Sequence, residues 1–83
     1  SSAYAAAKLL RAENEQEAIK IATELDSLND ERKNVEKVIY DVFSAKPHII
    51  LHSAGLLMNH SHLHRVYLIL FIVHNQRAYI KVG

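Results

Sequence analysis

From Ala18 onward the apolar residues fall on a seven-residue repeat: Ala18, Ile21, Leu25 and Leu28, then Val35, Ile39 and Val42, with Arg32 alone interrupting the seam. Apolar residues spaced three and four apart define one face of an α-helix. Ala22 and Phe43 widen the stripe, while Lys20, Asp26, Asp30, Glu31, Lys33 and Lys37 lie largely outside it. Neither Gly nor Pro occurs between residues 14 and 45. The pattern therefore predicts a single helix, on the order of 45 Å long at a rise of roughly 1.5 Å per residue. That exceeds the diameter of a domain built from 83 residues. The stripe then needs cover from another domain or a second copy. On this reading Ile21, Leu25, Leu28, Arg32, Val35, Ile39 and Val42 form the interface of a homo-oligomer.

A chain of this length makes one small domain or a fragment of a larger protein. It contains no Cys, which excludes disulfides, thiolate metal ligands and a thiol nucleophile. The longest apolar run, VYLILFIV at residues 66–73, is far short of the roughly 20 residues that span a bilayer, and no basic segment followed by an apolar core opens the chain. The expectation is a cytoplasmic protein without a membrane partner. The net charge of +1 hides an asymmetry, because all nine acidic residues lie at or before Asp41 and all six histidines after it. A composition boundary falls near residues 43–47, dividing a helical connector over residues 1–46 from a His-rich tail over residues 47–83.

Ser1 and Ser2 can cap a short first helix running to about Arg11. Asn14 is placed to cap a second, with Glu17 reaching back as in a capping box. The chain either starts a new helix here or kinks near Glu13 and Asn14. Pro47 ends the long helix. In the tail, HIILH (residues 48–52) reads as a short strand, Ser53-Ala54-Gly55 as its break, and residues 56–65 as helix or strand. VYLILFIV reads as a buried strand, HNQR as a turn and AYIKV as an alternating strand. The expected fold class is α+β, a long amphipathic helix followed by a short β-rich tail, with a mainly helical oligomer as the alternative.

Within the helical half, Ala18, Ala22, Leu25, Asp26, Asn29, Arg32 and Glu36 follow the pattern A-x-x-x-A-x-x-L-D-x-x-N-x-x-R-x-x-x-E. This segment resembles the long interdomain helix of RecJ-type single-strand-specific exonucleases, members of the DHH phosphoesterase family. AYAAAKLL (residues 3–10) resembles the segment leading into it, so the likeness covers residues 3 to about 41. The resemblance implies a helix that joins a metal-dependent catalytic domain to a nucleic-acid-binding domain. It also implies divalent metal in the parent family, held there by carboxylates that help to activate water, but this chain contains no Asp-His-His motif and no acid cluster beside a histidine. After Pro47 the likeness fades. The tail is then a diverged start of the second domain, a grafted segment, or the product of an altered reading frame.

HSHLH (residues 60–64) is the sharpest candidate for chemistry, since neutral imidazole ligates zinc, copper or nickel. A strand would set His60, His62 and His64 on one face, whereas a helix would pair His60 with His64. The alternative is a polar surface, with adventitious zinc or nickel binding and no resident cofactor. Ser53 and Ser61 lie near histidines but lack the strained G-x-S-x-G turn of a serine hydrolase. Lys46, Arg65, Arg77 and Lys81 share the acid-free half with Tyr67 and Tyr79, which could stack on bases of single-stranded DNA; the competing reading is a solvated face over an apolar core. Arg32 is either an anchor for an acidic partner or a side chain whose stem packs while its head reaches water. Two function classes result. One is a non-catalytic piece of a RecJ-like exonuclease, connecting domains and binding single strands weakly; the other is a self-assembling structural module, chimeric or not, without activity of its own.

Overall fold

A computed structural model describes residues 2–28 and 31–82, with residues 77–82 described as backbone alone. The described residues form five α-helices and contain no strand: α1 (Ser2–Leu10), α2 (Glu15–Ser27), α3 (Arg32–Ala45), α4 (His48–Leu57) and α5 (His64–Val82), with a 3₁₀ turn at Ser61–Leu63 before α5. The expected α+β fold, with one long helix and a β-rich tail, is thus corrected to a helical bundle of 35 × 24 × 21 Å.

The first correction concerns the rod. The long helix is two helices, α2 closing with Leu28 at its C-cap and α3 opening with Glu31 at its N-cap. Leu28 and Glu31 both take extended backbone, with ψ of 137° and 135°. Ser27 turns its hydroxyl back to the carbonyl of Glu24 at 2.7 Å, a local bond that competes with helix continuation. The two helices happen to keep the seven-residue phase across the break, so the repeat looks continuous. Arg32, an anomaly on a continuous seam, opens α3 with an exposed side chain whose Nε is 2.6 Å from Glu36 Oε1. The seven family-pattern positions are divided accordingly: Ala18, Ala22, Leu25 and Asp26 on α2, Arg32 and Glu36 on α3, and Asn29 outside the described residues.

The stripe is covered by the chain itself. Ile21, Leu25, Val35 and Ile39 are buried, and Leu28 and Val42 pack half-buried against the same core. Their cover comes from α1, whose Ala5, Ala6, Leu9 and Leu10 are buried and which packs against both α2 and α3. A helix this rich in alanine lets its neighbours approach closely and loses little entropy on ordering. Each large side chain taken from water here contributes roughly 1.5–3 kcal/mol.

The second correction concerns the tail. The run at residues 66–73 is helical: Val66, Ile69, Leu70 and Val73 are buried at the i, i+3, i+4, i+7 spacing of a helix face. An unbroken apolar run carries no visible period, so β-branched and aromatic content alone favoured a strand. HIILH is the first turn of α4, whose N-cap is Pro47 at φ −58° and ψ −30°. Pro47 ends α3 as expected, and its fixed φ also suits the start of a helix. Gly55 does not break α4, and HNQR continues α5. Helices on either side of Lys46 share one core, since α4 packs on α1, α2 and α3, and α5 on α2, α3 and α4. Among the described residues, no helix is long and apolar enough to cross a membrane.

Candidate interaction surface

Two helix faces remain apolar after the core has closed. In α5, Tyr67, Leu68 and Phe71 interleave with the buried residues and are 38%, 41% and 53% exposed. A helix that is apolar all round is normally covered all round. Beside it, Leu51 on α4 and Met58 at its C-cap are 57% and 66% exposed, with Gly55 between them at the i, i+4, i+7 spacing. Between the helices runs a groove lined by Ile50, Leu51, Ala54, Tyr67, Leu70 and Phe71, with His74 at one end. Its volume is about 90 Å³. Sites that bury a drug-sized molecule span roughly 300–1,000 Å³, so this one suits side chains rather than a small ligand. Tyr67 also borders a second hollow with Met58, His60 and His64, so it stands between the two depressions. Among the described residues, neither is lined by an Asp, Glu, Lys or Arg.

The three histidines of HSHLH are not gathered into one site, although His60 and His64 border the same hollow and the rings of His60 and His62 touch. His60 precedes the 3₁₀ turn and its Nε2 lies 2.8 Å from Glu15 Oε1 at the start of α2. His62 is exposed and meets the His60 ring edge to face at 5.8 Å between centroids. His64 opens α5 and faces the second hollow. Among the described residues, no group of three or more His, Cys, Asp or Glu side chains could hold a metal ion. Ser53 is fully buried and donates to the Leu9 carbonyl at 3.4 Å, and Ser61 lies in the 3₁₀ turn.

The cations of the tail are spread. Lys46 is exposed just past α3. Arg65 faces the C-terminus of α2, donating from Nη1 to the carbonyls of Asp26 at 3.1 Å and Leu28 at 3.4 Å. Tyr67 lines the apolar groove. The side chains of Arg77, Tyr79 and Lys81 lie outside the described residues.

Leu51, Gly55, Met58 and Leu68 escaped the reading of the sequence because the strand assignments scattered them. A helical projection of residues 48–58 would have aligned the first three. No family model matches the chain, and its comparison with curated proteins and with solved structures gave no match either.

Proposed function

We propose that this chain is a non-catalytic assembly module that pairs with a second copy of itself through the outer faces of α4 and α5. The observation that carries the reading is the apolar surface left over once the core is complete: Leu51, Tyr67 and Phe71 along a shallow groove, with Met58 and Leu68 also exposed. Aromatic residues and Met concentrated in a patch without charge are the composition of an interface centre. A two-fold pairing sets a face against its own copy, and a face whose described lining holds no Asp, Glu, Lys or Arg sets no such like charges together there. A partner chosen for its charges would gain nothing from these lining residues.

Sedimentation velocity over a range of protein concentrations tests the proposal. The expected result is a reversible monomer–dimer equilibrium that Phe71→Glu and Leu51→Glu each abolish, with helical circular dichroism retained. A native chain that stays monomeric throughout, or variants that dimerise as well as the native chain, would overturn it.

A further inference from the structure

We propose that the corner between α4 and α5 is a binding site for copper(I), with Met58 Sδ, His60 Nδ1 and a ring nitrogen of His64 as its ligands. Met58 is the C-cap of α4, His60 precedes the 3₁₀ turn, and His64 is the first residue of α5. Backbone bonds hold the turn: the His60 amide donates to the Leu57 carbonyl at 3.0 Å, and the Leu63 amide to the His60 carbonyl at 2.9 Å. Folded this way, the corner brings all three side chains to one hollow, with Leu57, Ser61 and Tyr67 completing its wall. Leu57 and Leu63 are buried beneath it, whereas Met58 and His64 are exposed and His60 is half-buried, so the three donors belong to the surface and not to the core.

The donor set points to the metal. Zinc is held by thiolate, imidazole and carboxylate, and the described lining of this hollow offers imidazole alone of the three. A thioether is a soft ligand that selects copper(I), and imidazole binds copper as well. Three neutral ligands also suit a singly charged ion better than a doubly charged one, which gives up more hydration on leaving water. An independent observation concerns His60. Its Nε2 lies 2.8 Å from Glu15 Oε1, and because a carboxylate only accepts, the ring proton is on Nε2. Nδ1 then keeps its lone pair for a metal. A carboxylate behind the imidazole is the arrangement that orients metal-binding histidines and raises their basicity, which makes Glu15 a positioning residue of the site.

Anaerobic titration with copper(I), kept reduced by ascorbate and competed by the chromophoric chelator bicinchoninate, tests the site. The chain should bind copper(I) one-to-one, with a sulfur neighbour in the copper X-ray absorption spectrum. Met58→Leu and His64→Gln should each abolish that binding while helical circular dichroism is retained, and His62→Gln should leave it intact. Glu15→Gln should weaken binding about 10–100-fold with the sulfur neighbour still present, which separates a positioning role from loss of a ligand. Binding that survives Met58→Leu undiminished would reduce the site to capture by surface imidazoles and overturn the proposal, as would a native chain that takes no copper(I) from the chelator.

Discussion

The Nε2 of His60 lies 2.8 Å from the Glu15 carboxylate, although 45 positions separate the two residues. The contact ties the 3₁₀ turn to the first turn of α2, and it belongs to a set. His52 Nε2 is 3.2 Å from the carbonyl of Ala12, Ser53 donates to the carbonyl of Leu9, and Arg65 donates to the carbonyls of Asp26 and Leu28. Each of these polar residues from the second half meets a backbone or acidic group at a helix end in the first half, where groups without intrahelical partners collect. The sharp division of acids from histidines along the sequence thus becomes, in part, complementarity across the fold.

Removing the His60 imidazole should cost little. Glu15 is more than half exposed and already sits at the positive end of the α2 dipole, so it keeps a favourable site without a partner. His60→Ala is expected to lower stability by about 0.5 kcal/mol in urea titrations, as for other solvent-screened pairs. A loss several times larger would mean that the contact organises the turn before α5.

Arg65 should matter more, because α2 has no basic residue in its own last turn. Its guanidinium stands in for one, although part of the gain is screened at 41% side-chain exposure. Arg65→Ala is expected to cost about 1 kcal/mol through the lost charged hydrogen bonds. Amide hydrogen exchange should quicken in the last turn of α2 and stay unchanged in α1. Uniform acceleration over the whole chain would contradict a local role.

Local chemistry was legible in the sequence where it depended on neighbours. Asn14 caps α2 as its spacing with Glu17 indicated: the Glu17 amide donates to Asn14 Oδ1 at 2.9 Å, while Glu17 Oε2 accepts from the amide of Glu13 at 3.3 Å, one residue earlier than a capping box requires. The end of the first helix and the stop at Pro47 were equally plain. The separate caps at Leu28 and Glu31 were not, because α2 and α3 keep one apolar phase and the sequence between them includes neither Gly nor Pro. The tail was misread for the opposite reason, since α5 buries one face and leaves the other apolar, which erases the helical period. The exposed apolar residues of α4 and α5 make no contribution to the core, so no periodic signal in the sequence set them apart.

The seam on α2 and α3 gives a sharper contrast. Ile39 is fully buried at 0% exposure, whereas Arg32, on the same seven-residue register, is exposed. Ile39→Ala should cost about 2–5 kcal/mol, from the lost burial together with the cavity left in the core. Arg32→Ala should stay within about 0.5 kcal/mol. Because the seam is internal, the loss caused by Ile39→Ala should not vary with protein concentration. A midpoint that rose with concentration in the native chain and not in Ile39→Ala would instead place the seam between molecules.

His74 offers a gain rather than a loss. Its ring packs edge-on against Phe43, with centroids 5.9 Å apart, and its Nδ1 is buried without a hydrogen-bond partner among the described residues. A buried polar atom that has given up water and found no replacement costs about 1–3 kcal/mol. Leucine fills a similar volume with no such atom, and it suits an apolar groove end better than imidazole does. His74→Leu is therefore expected to stabilise the chain by about 1 kcal/mol, read as a higher urea midpoint at unchanged slope. A lower midpoint would show that the edge-on contact with Phe43 outweighs the unsatisfied nitrogen.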